Sequence, residues 1–356
     1  MAERRQRAPW WVWPLLVVIL IAPPVGWLLA HRLSSPTKPR WTEADLPTPP
    51  PDADNGWITL WRRSSPFHRP DLEALQNALD GSIERPERVD GVRADAVLLI
   101  AEANAQRIAI DDAEAAFSRR RFADACPIAV AADCGELSVL GAQKLVSLRV
   151  FALAVAADFP RAFEIAGTMT RALVDYVGSA RRFLSAAAGS VALLGAFATV
   201  EDLIALARRS NVDAESWSAS RSALEAAMGE LDAHPPDPAR AVIGEYVLAR
   251  SALASLGSSS PDTSPWLVDQ RATTALVDEQ YAALHAYASG TTSTPPTIRD
   301  PVEEPLWWIY NHDGKILVSL LSVTTASAVA RTVDYRDQVI ARGRALREEL
   351  GRIGTP

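Results

Sequence analysis

From Asn55 onward the apolar positions recur at spacings of three and four, with almost no alternation of period two, so the pattern predicts helices and no sheet. Trp57, Leu60 and Trp61 share one face of a first helix that Asp54 or Asn55 can cap. Pro70 and Gly81 bracket a short helix over DLEALQNALD. A helix over 90–110, capped by Asp90, and another over 111–125 follow, until a cysteine-bearing stretch breaks the period. The pattern is strongest over 137–157, 161–176, 180–209 and 214–231, whose short connections force neighbours in sequence to pack antiparallel. Pro235, Pro236 and Pro238 precede helices at 239–256 and 266–287, and a last one runs from Lys315 to about Leu350. Residues 289–305, SGTTSTPPTIRDPVEEP, read as a mobile surface loop. The predicted class is all-α, an irregular antiparallel helical bundle over residues 55–352.

A short solenoid is the other form this pattern allows. AADFPRAFEIA, residues 156–166, is similar to the turn of a tetratricopeptide hairpin, although the unit does not recur at the ~34-residue period of that repeat. Phe183–Val200 is uncharged and just long enough to be weighed as a membrane span. Its alanines, serines and Gly189 and Gly195 equally suit a helix packed on all sides, which is the reading adopted. Residues 316–330 are uncharged too, but shorter and rich in Ser and Thr.

The N-terminus departs from the amphipathic pattern. Residues 10–30, WWVWPLLVVILIAPPVGWLLA, carry no charge and are long enough as a helix to cross a ~30 Å hydrocarbon core. Trp10, Trp11, Trp13 and Trp27 sit where interfacial aromatic belts lie. Arg4, Arg5 and Arg7 place residues 1–9 in the cytoplasm and the rest of the chain outside it. A cleaved signal peptide is the alternative; a cut after Ala30 would set Leu28 at the −3 position, where a small residue is wanted. Residues 31–54 hold six prolines and read as a polyproline linker at ~3.1 Å per residue, able to hold the domain tens of ångströms from the bilayer.

Composition narrows the partners. The chain has 356 residues and a net charge of −7, with 33 of its 36 basic residues arginine. Residues 1–40 carry six basic residues against Glu3, and the remainder 30 basic against 42 acidic, which argues against a general nucleic-acid binder. Cys126 and Cys134, the only cysteines, are seven residues apart in CPIAVAADC. They are read as a disulfide of an oxidising compartment, with two unrelated buried thiols as the alternative. No histidine neighbours them, so a metal site is not expected, and no cofactor is.

Catalytic signatures are missing from the sequence. His31, His68, His234, His285 and His312 form no i, i+4 pair, and there is no HExxH, GxSxG, Walker A or GxGxxG. SPTK at 35–38 lies in the linker, and DADNG at 52–56 has its glycine too early for a calcium loop and Arg63 where the bidentate Glu belongs. One stretch concentrates chemistry: in PLWWIYNHDGKIL, Trp307, Trp308, Tyr310, His312 and Lys315 would form a ligand or partner edge, with Asp313 orienting His312. The competing reading is a helix end at Asn311, an Asp-Gly turn and a new helix.

Asn55-Gly56-Trp57, Asn311-His312-Asp313-Gly314-Lys315 and Tyr335 with Asp337 carry a resemblance. The chain resembles uncharacterised bacterial single-pass envelope proteins whose helical ectodomain opens with an Asn-Ala-Trp-like segment and later has an Asn-Pro-Val-Gly-Lys-like turn before a Tyr-x-x-Arg helix. The likeness covers most of residues 52–350, with His-Asp replacing Pro-Val. It implies a fold and an inner-membrane location, and a structural turn in place of a catalytic His312. The function expected is a binding or adaptor module of the cell envelope with a protein partner. The rival readings are an envelope hydrolase with paired helix-borne carboxylates and a small-ligand sensor with an apolar pocket near Trp217 or Trp266.

Overall fold

The computed structural model describes residues 21–22, 25–26, 35–61, 85–128, 135–259, 268–297, 300–303 and 311–353. Every regular element among them is helical, as the period required. Eleven α-helices follow in order: α1 (Gly56–Trp61), α2 (Arg85–Ala94), α3 (Ala96–Ala105), α4 (Arg107–Phe117), α5 (Ser138–Val155), α6 (Phe159–Ser179), α7 (Phe183–Arg209), α8 (Ser218–Ala233), α9 (Pro238–Ser259), α10 (Gln270–Ala288) and α11 (His312–Arg352). The helix expected at Pro70–Gly81 and most of the segment 10–30 lie outside the described residues. The single helix expected over 90–110 is instead three pieces with joints at Asp95 and Gln106, whose ψ angles of 16° and 9° leave the helical range.

Two apolar cores are stacked along two long helices. The first joins α1–α6, the C-terminal half of α7, α8 and the end of α11, around Trp57, Phe151, Phe163, Tyr176, Phe197 and Leu346. The second joins the start of α7 with α9, α10 and the first half of α11, around Phe183, Tyr246, Tyr281 and Val329. α5 packs on α6 and α6 on α7 across short turns, whereas α7 and α11 run parallel: Glu201 meets Arg342, and seven residues further along each helix Arg208 meets Glu349. α11 was expected to begin at Lys315. It begins at His312 and spans both cores, about 60 Å at 1.5 Å per residue.

α5, α7 and residues Asp313–Arg352 of α11 are long and apolar enough to cross a membrane. In α7, 61% of the most apolar window is buried against protein. Thr199 of α7 is matched from α5: Gln143 donates to Ser147 (2.9 Å), whose hydroxyl lies 2.9 Å from that of Thr199, which donates to the Gly195 carbonyl. Leu184 and Val191 remain exposed on the outer side.

The α5–α6 hairpin shows how AADFP folds. The Asp158 amide donates to the Leu153 carbonyl (2.9 Å) and that of Ala157 to Ala154 (3.0 Å), a Schellman closure with Ala157 at φ 65°. Asp158 then caps α6, accepting from the Arg161 amide, and Pro160 fills the second position, where no amide is needed. At the end of α7 the same closure uses Asn211, at φ 51°, which tolerates the left-handed region better. Ala157→Gly should therefore raise stability by about 1 kcal/mol, read as a higher urea midpoint with unchanged slope. An unchanged or lower midpoint would show that the turn carries no strain.

Candidate functional site

Three polar assemblies stand out from an otherwise apolar interior. The first is a clasp in the middle of α7. Asp202, whose side chain is 1% exposed, takes a bidentate pair of 3.0 Å bonds from Arg88 of α2. Its neighbour Glu201 accepts from Arg342 of α11 (3.1 and 2.8 Å) and from Arg85 (2.9 Å). Burial raises the Asp202 carboxyl above its ordinary range even against Arg88. Arg88→Ala would leave that carboxylate buried without its bidentate cation, at a cost of about 3–5 kcal/mol. Arg88→Met with Asp202→Leu should recover most of it. Urea denaturation of the three chains decides, and a near-neutral single variant would mean that the pair is solvated.

The second assembly is the corner between α6 and α7. Asp124, 1% exposed, accepts from the amides of Cys126 and Arg181, both at 2.9 Å. Arg181 reaches Glu43 (2.7 Å) and the Cys126 carbonyl (3.3 Å). Arg182 lies between Glu136 (3.3 Å) and Glu245 (3.9 Å), and Glu245 also accepts from the Phe183 amide. Burial raises the Glu245 carboxyl, with Glu136 adding to the rise and Phe183 and Arg182 opposing it. Cys126 is fully buried, its sulfur 3.5 Å from Arg182, and it is not a free thiol. Cys134 lies outside the described residues. α9 approaches this corner so closely that a Cβ on Gly244 would overlap the Arg181 carbonyl.

The third assembly involves the proline-rich linker, and it corrects the reading of residues 31–54 as a free spacer: the described part lies on the domain as a strap. Thr37 donates to Asp278 (2.6 Å), and its amide to Thr274 (2.9 Å). Arg250 donates to the Thr37 hydroxyl (2.8 Å) and to its carbonyl. The Arg40 amide donates to the Tyr246 hydroxyl (2.7 Å), which donates to Asp278 (2.6 Å). Trp41 stacks on His285 with centroids 4.8 Å apart and meets Tyr246 edge-on at 5.2 Å. Leu46 packs with Ile128 and Ile243. Polyproline geometry exposes the backbone, and here Thr274, Tyr246 and Arg250 supply its partners from α9 and α10.

Burial lowers the His285 pKa; nearby Asp237 opposes this and Arg40 reinforces it. The folded chain thus prefers neutral imidazole, and the unfolded chain takes the proton first as pH falls below about 6.5. The contribution is present above that pH and is lost below it. His285→Phe keeps an aromatic for Trp41 and should flatten the fall in melting temperature between about pH 7.5 and pH 5.5. An undiminished fall in that variant would assign the acid sensitivity to other groups.

The edge expected at residues 305–317 resolves differently. Trp307, Trp308 and Tyr310 lie outside the described residues, as does the His312 side chain. What is described is a joint. Asn311, at φ 53° and 1% exposed, accepts from the Asp269 amide (2.8 Å) and from Thr273 (3.0 Å), linking the starts of α10 and α11. Gly314 is required there because a Cβ would overlap Thr273 and Asn311. The Lys315 amide donates to the Asn311 carbonyl (2.9 Å), an ordinary first-turn bond. The loop before it is tied down at one end, where Asp300 accepts from Ser319 (3.0 Å).

Two open clefts are lined by described residues. One, of 680 Å³ between α6 and α8, is lined by Asp158, Arg161, Glu164, Arg171, Ser220 and Trp217. Trp217 is 4% exposed and stacks flat on Phe163 at 3.8 Å, so its ring is spent on packing. The other, of 810 Å³, lies where α6, α8 and α10 end, with Arg240 on the Gly178 carbonyl (2.6 Å) and Arg344 on Asp232 (2.9 Å). Among the described residues no group of three His, Cys, Asp or Glu side chains is placed to hold a metal. Compared with known proteins, the chain matches no family model, no curated protein and no solved structure.

Proposed function

We propose that this chain is a single-pass inner-membrane protein, anchored by residues 10–30 with a cytoplasmic N-terminus, whose extracytoplasmic helical domain works by binding an envelope protein. The observation that carries the reading is how the buried acids are used. Asp202, Glu201, Glu136 and Glu245 each face an arginine, and Asp124 is taken by two amides, so these five serve packing; of the acids that line the first cleft, Asp158 caps α6 and Glu164 pairs with Arg161. A hydrolase would want a carboxylate pair open to a cleft. The two clefts are rimmed by surface residues, several of them ion-paired, and neither is the apolar pocket that a small-ligand sensor needs. The irregular two-core bundle suits this role better than a solenoid, and the resemblance to single-pass envelope proteins points the same way.

The Cys126–Cys134 disulfide belongs to the same reading. Its support is that Cys126 is not free and that the chain has one other cysteine. Closing so short a loop would contribute about 2–3 kcal/mol in the loop-entropy account. Alkylation of the denatured, unreduced chain should label neither cysteine; labelling of both would place the domain in a reducing compartment.

Crosslinking of the full-length chain in its own membranes, followed by mass spectrometry, tests the function. The expected result is one envelope protein captured in stoichiometric amount, and lost when residues 10–30 are replaced by a soluble leader. Recovery of the chain alone would overturn the adaptor reading.

A further inference from the structure

The strap fixes more than its own conformation. Thr37 is the first residue of the described chain with side-chain partners, and five groups hold its neighbourhood: Thr274, Asp278, Arg250, Tyr246 and His285, all from α9 and α10. The segment read as the membrane span ends at Ala30, leaving seven residues to reach Thr37. A fully extended chain covers at most ~3.6 Å per residue, so that tether reaches about 25 Å. The headgroup layer itself takes up about 5–7 Å of it on each side of the hydrocarbon core. Had residues 31–54 stood off as a polyproline spacer, the same domain could sit about 70 Å away.

We infer that the α9–α10 face carrying Thr274 and Asp278 is the membrane-facing side of the domain, held against the lipid headgroups by the docked strap. The inference rests on residues 10–30 being an anchor. Its occupant is the bilayer, by chain length: no other surface is tied to the end of the span by so short a tether. The charge along the tether agrees. Arg32, Lys38 and Arg40 bear no neighbouring acid between Ala30 and Trp41, so this stretch suits anionic headgroups. The opposite end of the molecule, where α4 packs on α1, α5 and α6, is left facing away from the membrane and open to a partner.

The test uses the full-length chain in vesicles of mixed zwitterionic and anionic lipid, some carrying a quencher on the headgroup. A fluorophore is placed at Ala275→Cys, exposed on α10 beside Thr274, or at Arg107→Cys, exposed at the start of α4. Quenching is expected at 275 and absent at 107. It should be lost at 275 in the strap variant Thr37→Ala with Trp41→Ala. It should also be lost when about ten Gly/Ser residues are inserted between Ser34 and Ser35, a change that touches no contact. A chain that alkaline carbonate strips from the vesicles would refute the anchor, and the inference with it. A chain that stays in the vesicles but is unquenched at 275 would refute the apposition and leave the anchor standing. Quenching at 275 that survives both changes would show that the strap does not hold the face there.

Discussion

Glu201 and Asp202 sit side by side in the middle of α7, both almost sealed from water. Two ionised carboxylates cannot stay in such a place uncompensated, since each would lose several kcal/mol of hydration. Adjacent residues on a helix point about 100° apart, so one cation cannot serve both. Asp202 takes Arg88 from α2, and Glu201 takes Arg342 from α11 with Arg85 beside it. One dipeptide thereby draws two elements remote in sequence onto the same helix, with Arg85 of α2 reaching Glu349 of α11 as well. With Arg342 fixed and Arg208 meeting Glu349 one repeat further on, α11 has to run parallel to α7. Its first half must then extend along α7 to the other end of the molecule, where α9 and α10 complete the second core.

The corner at Arg181–Arg182 is the counterpart at that other end. Arginine keeps its charge at any accessible pH, so a buried pair of them must be met by acids from whatever lies near. Glu43 comes from the strap to Arg181, and Glu136, beside the cysteine segment, and Glu245 of α9 lie on either side of Arg182. The strap is therefore bound to the domain along its length, through Thr37, Arg40, Trp41, Glu43 and Leu46. It is continuous with α1, where Asn55 holds the amide and carbonyl of Ala123 (3.0 and 2.8 Å). The path from Thr37 to the first core is thus made of specific contacts.

Helical class and most helix positions were legible because periodicity is local: α5, α6 and α7 begin and end within a few residues of the stretches read from the pattern. The capping role of Asn55 was legible for the same reason. The clasp was not, because Glu-Asp on a helix looks the same whether it faces solvent or Arg88, and the partner is over a hundred residues away. The strap was misread through a sound rule applied to an isolated segment. Six prolines do favour an extended chain, but nothing within residues 31–54 announces that Tyr246 and Arg250 will satisfy its backbone. In NHDGK the eye goes to the titratable His312, whereas the residue that shapes the turn is Asn311, the residue type that best tolerates a left-handed conformation apart from glycine.

The same arrangement bears on the binding role proposed for the domain. Glu136 and Glu245 are two acids around one cation, with the Glu245 carboxyl raised by burial. A general acid must release its proton to a reacting group and regain it, which requires room for that group within hydrogen-bond reach. Arg182 occupies that position, the Phe183 amide takes a further lone pair of Glu245, and α9 closes over the corner at Gly244. The raised Glu245 carboxyl is accounted for by burial, with neighbouring Glu136 adding to it. The pairing of these acids with arginines holds the helices in register.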